Sequence, residues 1–337
     1  MTTLLENGLG DKMKSALYHR AGNALWFLRE LHASAFGQKG DQNLGVCVVE
    51  YDSAGAEKLI RARLTDIRPF MATRFGTVEL DALRWAVYKK NWPQRILDFI
   101  RQDIAHWDFP EHIFPSLENN AGFFPANHET LQKFLNLLLE AIDQIDILAS
   151  WQKRESFFEN RLSNAKRIHL GDLGPPVNTE HPWTELLEGQ RVLVIHPFEQ
   201  TILHQYARRE MIFSNPKTLP AFELITLKAV QSVANSPTGF TSWFDALDWM
   251  KSQINQTEFD IALIGCGAYG MPLAAHVKML GKKAIHFGGS LQLLFGIKGK
   301  RWDEWKHITD LYNDYWIRPL PSDHPSGFQK VEEGCYW

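Results

Sequence analysis

The stretch Asp260-Ile261-Ala262-Leu263-Ile264-Gly265-Cys266-Gly267-Ala268-Tyr269-Gly270 decides how the chain is read. Four apolar residues, short and partly β-branched, stop at a glycine, as a buried strand does. The glycines stand in the spacing GxGxxG, and the next ten residues suit a helix. A second short apolar run, 283–287, then closes a strand–turn–helix–strand unit. Glycines in such a turn let backbone amides come close to a ligand, and the N-terminus of the following helix favours an anion. The unit therefore predicts a parallel α/β sheet with a phosphate-bearing or otherwise anionic ligand held by Gly265, Gly267 and Gly270.

Outward from this unit the second half of the chain repeats the pattern. Apolar runs at 168–170, 192–195, 222–227, 261–264 and 284–287 alternate with helical stretches, so an α/β, Rossmann-like, mostly parallel sheet with helices on both faces is expected. Ser242 and Asp245 have the spacing that starts a helix leading to Asp260. The first half reads as mainly helical additions. Apolar residues recur helically from 12 to 32. Asn127 is a natural N-cap for a long helix carrying Leu131, Phe134, Leu135, Leu138, Leu139, Ile142 and Ile145. A β-branched run at 46–51 predicts a strand, 66–80 predicts a strand leading through a turn to a helix, and the aromatic stretch 107–125 predicts a lid or packed Ω-loop. The organisation expected is one catalytic domain over 1–337, with 1–160 mainly helical and 161–337 the nucleotide-binding part.

Composition narrows the function. A formal charge of −3 and a pI near 6.5 exclude the concentrated basic surface of a nucleic-acid binder. The three cysteines Cys47, Cys266 and Cys335 have no paired spacing, which predicts a reducing compartment without structural zinc or disulfides. No run approaches about 18 apolar residues, so no membrane span and a cytoplasmic location are expected. Twelve tryptophans are many for this length. They suit a core, sugar platforms, or a subunit interface in a homo-oligomer.

Two further strand ends carry chemistry. Val194-Ile195-His196-Pro197-Phe198-Glu199 places His196 and Glu199 at one edge of the sheet, where either could accept a proton. Ile285-His286-Phe287-Gly288-Gly289 follows a strand with a glycine pair in place of the acid that holds a nicotinamide dinucleotide's ribose. That substitution argues against NAD(P), and an oxidoreductase stands second for that reason. Downstream, Lys298, Lys300 and Arg301 between glycines form a mobile basic loop suited to pyrophosphate.

Arg74-Phe75-Gly76-Thr77-Val78-Glu79 resembles the Arg-Phe-Gly-Asp-Gly-Glu signature of the GT-D-fold bacterial glycosyltransferases, once called a domain of unknown function. Lys283-Ala284-Ile285-His286-Phe287-Gly288 is similar to that family's Lys/Tyr-x-Ala-Ile-x-x-Gly strand. Arg74, Phe75, Gly76 and Glu79 match, while Thr77 and Val78 replace the aspartate and small residue of the signature. The resemblance implies a sugar-nucleotide-dependent glycosyltransferase of surface polysaccharide synthesis. Arg74 and Glu79 would organise the donor, with Gly76, His286, Gly288 and Gly289 beside it. Donor and acceptor would be a nucleotide sugar and a saccharide or lipid-linked saccharide. It also implies Mn2+ or Mg2+ near Glu79, although loss of the aspartate at Thr77 removes one oxygen ligand. The same loss keeps open a non-catalytic saccharide-binding or assembly protein.

Overall fold

The computed structural model describes residues 21–37, 47–87, 92–102, 111–177, 179–331 and 333–337, and they divide into two compact units. The smaller, from 1–46 and 87–111, contains a helix at 21–36 and the helix Trp92–Ile100. Within it the Trp26 ring meets Phe99 edge-on at 5.2 Å, and the Arg29 guanidinium lies 4.7 Å from the same ring. The portion of the expected first helix before residue 21, residues 38–46 including Val46, and most of the first part of the aromatic stretch with Phe109 lie outside the described residues.

The larger unit is built on seven parallel strands in the order β3-β2-β1-β7-β6-β4-β5. These are β1 (Phe70–Thr73), β2 (Ile147–Ser150), β3 (Lys166–His169), β4 (Arg191–His196), β5 (Glu223–Lys228), β6 (Ile261–Ile264) and β7 (Lys283–His286). Every residue of β1, β2 and β6 is buried. Successive side chains point to opposite faces, so both faces of the sheet are covered there, as in other parallel sheets. The helix Gly270–Met279 packs on β7, β1 and β6, and the helix Ser53–Thr65 packs on β3.

Local chemistry explains the elements. Asn127 accepts the amides of Glu129 and Thr130, and the Thr130 hydroxyl takes the Asn127 amide, a capping box that starts the helix His128–Ile142. Ser242 caps Trp243–Asn255 by accepting the Asp245 amide at 3.2 Å. At the N-terminal edge the Arg191 guanidinium meets Asp260 at 2.8 Å, and the Arg191 amide donates to the same carboxylate at 2.9 Å, holding β4 and β6 in register.

Three expectations change. The segment 47–52 is not a strand: a single backbone bond, from the Glu50 amide to the Arg167 carbonyl at 2.9 Å, ties it to edge strand β3, and Val48 and Val49 stay exposed. The aromatic stretch is no lid where it is described. It forms the short helix Ile113–Ser116 and the π-helix Leu117–Ala121, and Phe123 is fully buried against Phe134 and Trp243 at 4.5 and 5.4 Å. The parallel sheet is not confined to the second half, because β1 and β2 come from before residue 160 and β1 lies beside the central strand β7.

Candidate functional site

Ligand sites in open α/β sheets lie outside the carboxyl ends of the strands. Here the ends of β1, β7, β6 and β4 meet, and they bring the sequence-derived residues together. Arg74 follows β1 directly and is partly buried; its Nε is shielded from solvent and has no hydrogen-bond partner among the described residues. Its guanidinium carbon lies 5.1 Å from the Trp151 ring, just beyond β2. Gly288, after β7, has φ +67, and a Cβ there would stand 3.2 Å from the Arg74 Nε. Glycine thus serves two needs at this position, a left-handed backbone and room for the guanidinium.

Glu79 lies in the first turn of the helix Thr77–Val87, where the positive end of the helix favours a carboxylate. Its carboxylate folds back over Gly76, so a Cβ at Gly76 would come within 1.9 Å of it. Burial pushes the Arg74 pKa down, the Arg301 charge pushes it further, and Tyr336, Glu79 and Glu155 pull it back. Two guanidinium groups therefore share a neighbourhood in which Arg74, the one whose pKa burial lowers, is under-compensated.

The glycine turn after β6 shapes the opposite wall. A Cβ at Gly265 would meet the Gly288 carbonyl at 2.7 Å and the His196 ring at 2.8 Å, so three strand ends converge on one glycine. Gly267 has φ +57, with the Ala121 carbonyl 3.2 Å from its Cβ position. Gly270 leaves room for His286, whose Nε2 would lie 2.1 Å from a Cβ. His286 Nδ1 pairs with the Thr73 hydroxyl at 2.8 Å, while its buried Nε2 has no partner among the described residues. Burial, then the Arg74 charge, lowers the His286 pKa from 6.5 to about 3, so the ring is neutral. Arg74, Gly76, Glu79, Gly267, Met271 and His286 surround a small cavity of about 10 Å³, room for roughly one water.

The two proton acceptors expected after β4 separate in character. His196 is buried; its Nδ1 accepts the Phe198 amide at 2.9 Å, and burial lowers its pKa to about 3. Glu199 opens the helix Glu199–Tyr206, half-buried, with no hydrogen bond or ion pair to His196 or to any other described residue. The basic loop separates too. Lys298 Nζ lies 4.9 Å from the Tyr312 ring, and Lys300 pairs with Glu333 at 3.3 Å. Arg301 alone reaches the site: it stacks on Tyr336 at 4.7 Å, donates to the Tyr336 hydroxyl at 3.1 Å and acts on Arg74. Nor is the loop a deformable flap. The Gln292 side-chain amide donates to the carbonyls of Lys298 and Tyr336, each at 3.1 Å, and a Cβ at Gly299 would strike the Trp302 ring at 2.6 Å.

Sequence reasoning missed Trp151, Thr73 and Tyr336. Trp151 stays 37% exposed beside Arg74, and its indole N–H donates to the Phe75 carbonyl at 3.0 Å. The apolar run 147–150 ending at this tryptophan was the signal, hidden by its closeness to the preceding helix. Tyr336 packs its ring against Gly289, where a Cβ would lie 2.2 Å away. No local pattern announces a contact so distant in the chain.

A metal held by the protein does not fit these residues. Glu79 offers one carboxylate, Asp81 is bound to Arg154 at 2.6 Å, and among the described residues no three His, Cys, Asp or Glu side chains stand together as a metal group would need.

No family profile matches the chain, and no curated protein does. Two solved structures are similar to it: a selenomethionine-substituted structure of domain of unknown function 1792, and a structure of the same domain described as having a distinct glycosyltransferase fold. In each the identity is 12%, the match covers 88% of this chain and 92% of the other, and the TM-score is 0.42. A likeness this distant carries no argument about chemistry, which rests on the site itself.

Proposed function

We propose that the strand-edge site binds the diphosphate of a nucleotide-sugar donor and transfers the sugar to a saccharide acceptor. The observation that supports this is Arg74: a partly buried guanidinium whose Nε is shielded from solvent and unpartnered among the described residues, its pKa lowered by burial and by Arg301, at the glycine turns of a parallel sheet. A buried cation without a full set of partners is costly, and an anion bridging Arg74 and Arg301 relieves both desolvation and repulsion. A diphosphate offers that anion, and its departure concentrates charge where the two guanidiniums stand. The acceptor oxygen bonds to the sugar's anomeric carbon, the bond from that carbon to the phosphate oxygen breaks, and the nucleotide diphosphate leaves with the electron pair. The acceptor's proton goes to a carboxylate. Glu199 suits this better than His196, whose Nδ1 is already occupied and whose ring resists protonation.

A cavity of about 10 Å³ is far below the few hundred Å³ that ligand pockets usually enclose, so the donor lies across the rim with only its phosphates reaching inward. Trp151, half open beside Arg74, is a stacking surface on that rim. Surface polysaccharide synthesis is the setting that the Arg74-to-Glu79 resemblance suggests.

The test is calorimetric. Uridine diphosphate at about a hundred times its dissociation constant should add ~2.7 kcal/mol to stability, more than NAD at equal concentration. Arg74→Met should abolish the gain. A preference for NAD, or full binding by Arg74→Met, overturns the proposal.

A further inference from the structure

Beside the glycine turn runs an open polar groove of about 420 Å³, lined by Pro115, Ser116, Glu118, Asn119, Asn120 and Asn235. We propose that this groove is the saccharide acceptor's subsite, a deepening that rests on the transferase reading above.

Both walls are fixed to the turn that closes the strand-edge site. One wall is the π-helix Leu117–Ala121, an irregularity that recurs at functional positions. Its last carbonyl, that of Ala121, stands 3.2 Å from the Cβ position of Gly267. The other wall follows Ser232, whose hydroxyl donates to the Gly122 carbonyl and lies 3.2 Å from the Tyr269 hydroxyl inside the glycine turn. A ligand in the groove is thereby held in register with the turn.

The chemistry of the lining selects the ligand. No lysine or arginine side chain lines it, and it carries the carboxylate of Glu118, so a diphosphate is disfavoured. Three carboxamides face it, and an amide both donates and accepts, as neighbouring sugar hydroxyls do. Asn119 is already engaged, donating to the Asn120 side-chain oxygen at 2.8 Å and to the Lys330 carbonyl at 2.9 Å. That contact uses the Asn120 side-chain oxygen, and its NH2 has no hydrogen-bond partner among the described residues. Glu118 is oriented by the Ala126 amide at 2.9 Å. Asn235 is exposed, its side chain without a hydrogen-bond partner among the described residues, and its φ is +55. Pre-set amides lose little freedom on binding, which favours affinity for a neutral polyol.

Saturation-transfer NMR on the full chain, without nucleotide, tests this with maltose, cellobiose, lactose and N,N′-diacetylchitobiose as probes. At least one should bind, and Asn120→Ala combined with Asn235→Gly should weaken it about tenfold, two hydrogen bonds lost. Glycine at 235 keeps the left-handed backbone accessible. Melting temperature and uridine diphosphate affinity should stay unchanged. If the double variant melts lower, Asn235→Gly alone, at an exposed position, must weaken the sugar by about threefold. Absence of binding by all four sugars, or undiminished binding by the variants, overturns the subsite. Sugar binding without uridine diphosphate binding would leave the groove standing and fell the donor reading instead.

Discussion

At the scale of single residues, the site is organised by what glycine omits. Gly270 shows it against a buried ring, because a Cβ there would lie 2.1 Å from His286 Nε2. Alanine is the better helix former by ~1 kcal/mol, yet overpacking a buried ring costs about 1–3 kcal/mol. Gly270→Ala is therefore expected to lower stability in urea unfolding despite its helical position. An unchanged or raised midpoint would show that His286 is free to move aside. The glycines of GxGxxG were legible in the sequence, but the side chains for which Gly265 and Gly270 make room, His196 and His286, are distant in the chain and were not. The same holds for Arg74, whose motif was readable while its tryptophan neighbour was not.

At the scale of elements, patterns with a short-range cause were read well. The capping box at Asn127, the Ser242 cap, and the strand–turn–helix of β6 depend on residues within four positions of one another, so their physics is written locally. Asn127→Ala should cost about 1 kcal/mol of stability and leave nucleotide binding untouched, since the cap acts only on the end of the helix His128–Ile142. Elements decided by neighbours were misread. β2 begins at Ile147 right after the long helix, and only pairing with β1 and β3 makes it a strand. Residues 47–52 have strand composition but meet an edge with one bond, and composition alone cannot supply a ladder. The basic loop looked mobile because its glycines are visible, whereas the Gln292 amide that pins it is not recognisable as an anchor without the fold.

For the molecule as a whole, two buried neutral histidines set a dependence on acidity. His196 and His286 both have their pKa lowered from 6.5 to about 3, burial being the first cause in each. The unfolded chain takes up a proton on each as pH falls through about 6.5, and the folded chain does not, so stability is present above that pH and lost below it. Going from pH 6.5 to 5.5 should cost ~1 kcal/mol per histidine, offset in part by Glu57, whose carboxyl burial raises to about 7, and measurable as a falling urea midpoint. His286→Asn should remove the share of one histidine from this slope. An equal slope would mean that the ring is protonated in the folded state. Among the described residues, no helix is long and apolar enough to cross a membrane.

The pairing of β1 with β7 has a consequence for how the protein is made. Arg74 and Gly288 face each other only because Phe70 lies beside Lys283 and Ala72 beside Ile285, strands drawn from the first quarter and the last fifth of the chain. Emerging from a ribosome in order, β1 waits with one flank open until the chain as far as β7 has followed it. Closing so long a loop is slow, and an unpaired apolar strand is exposed to misassociation meanwhile. Nascent chains stalled before Lys283 should thus be degraded rapidly in pulse proteolysis, while chains released beyond the end of β7 resist. Under the proposed function, the residues that would gather a ligand's charge are then the last to be assembled, and an incomplete chain would have no binding site to offer.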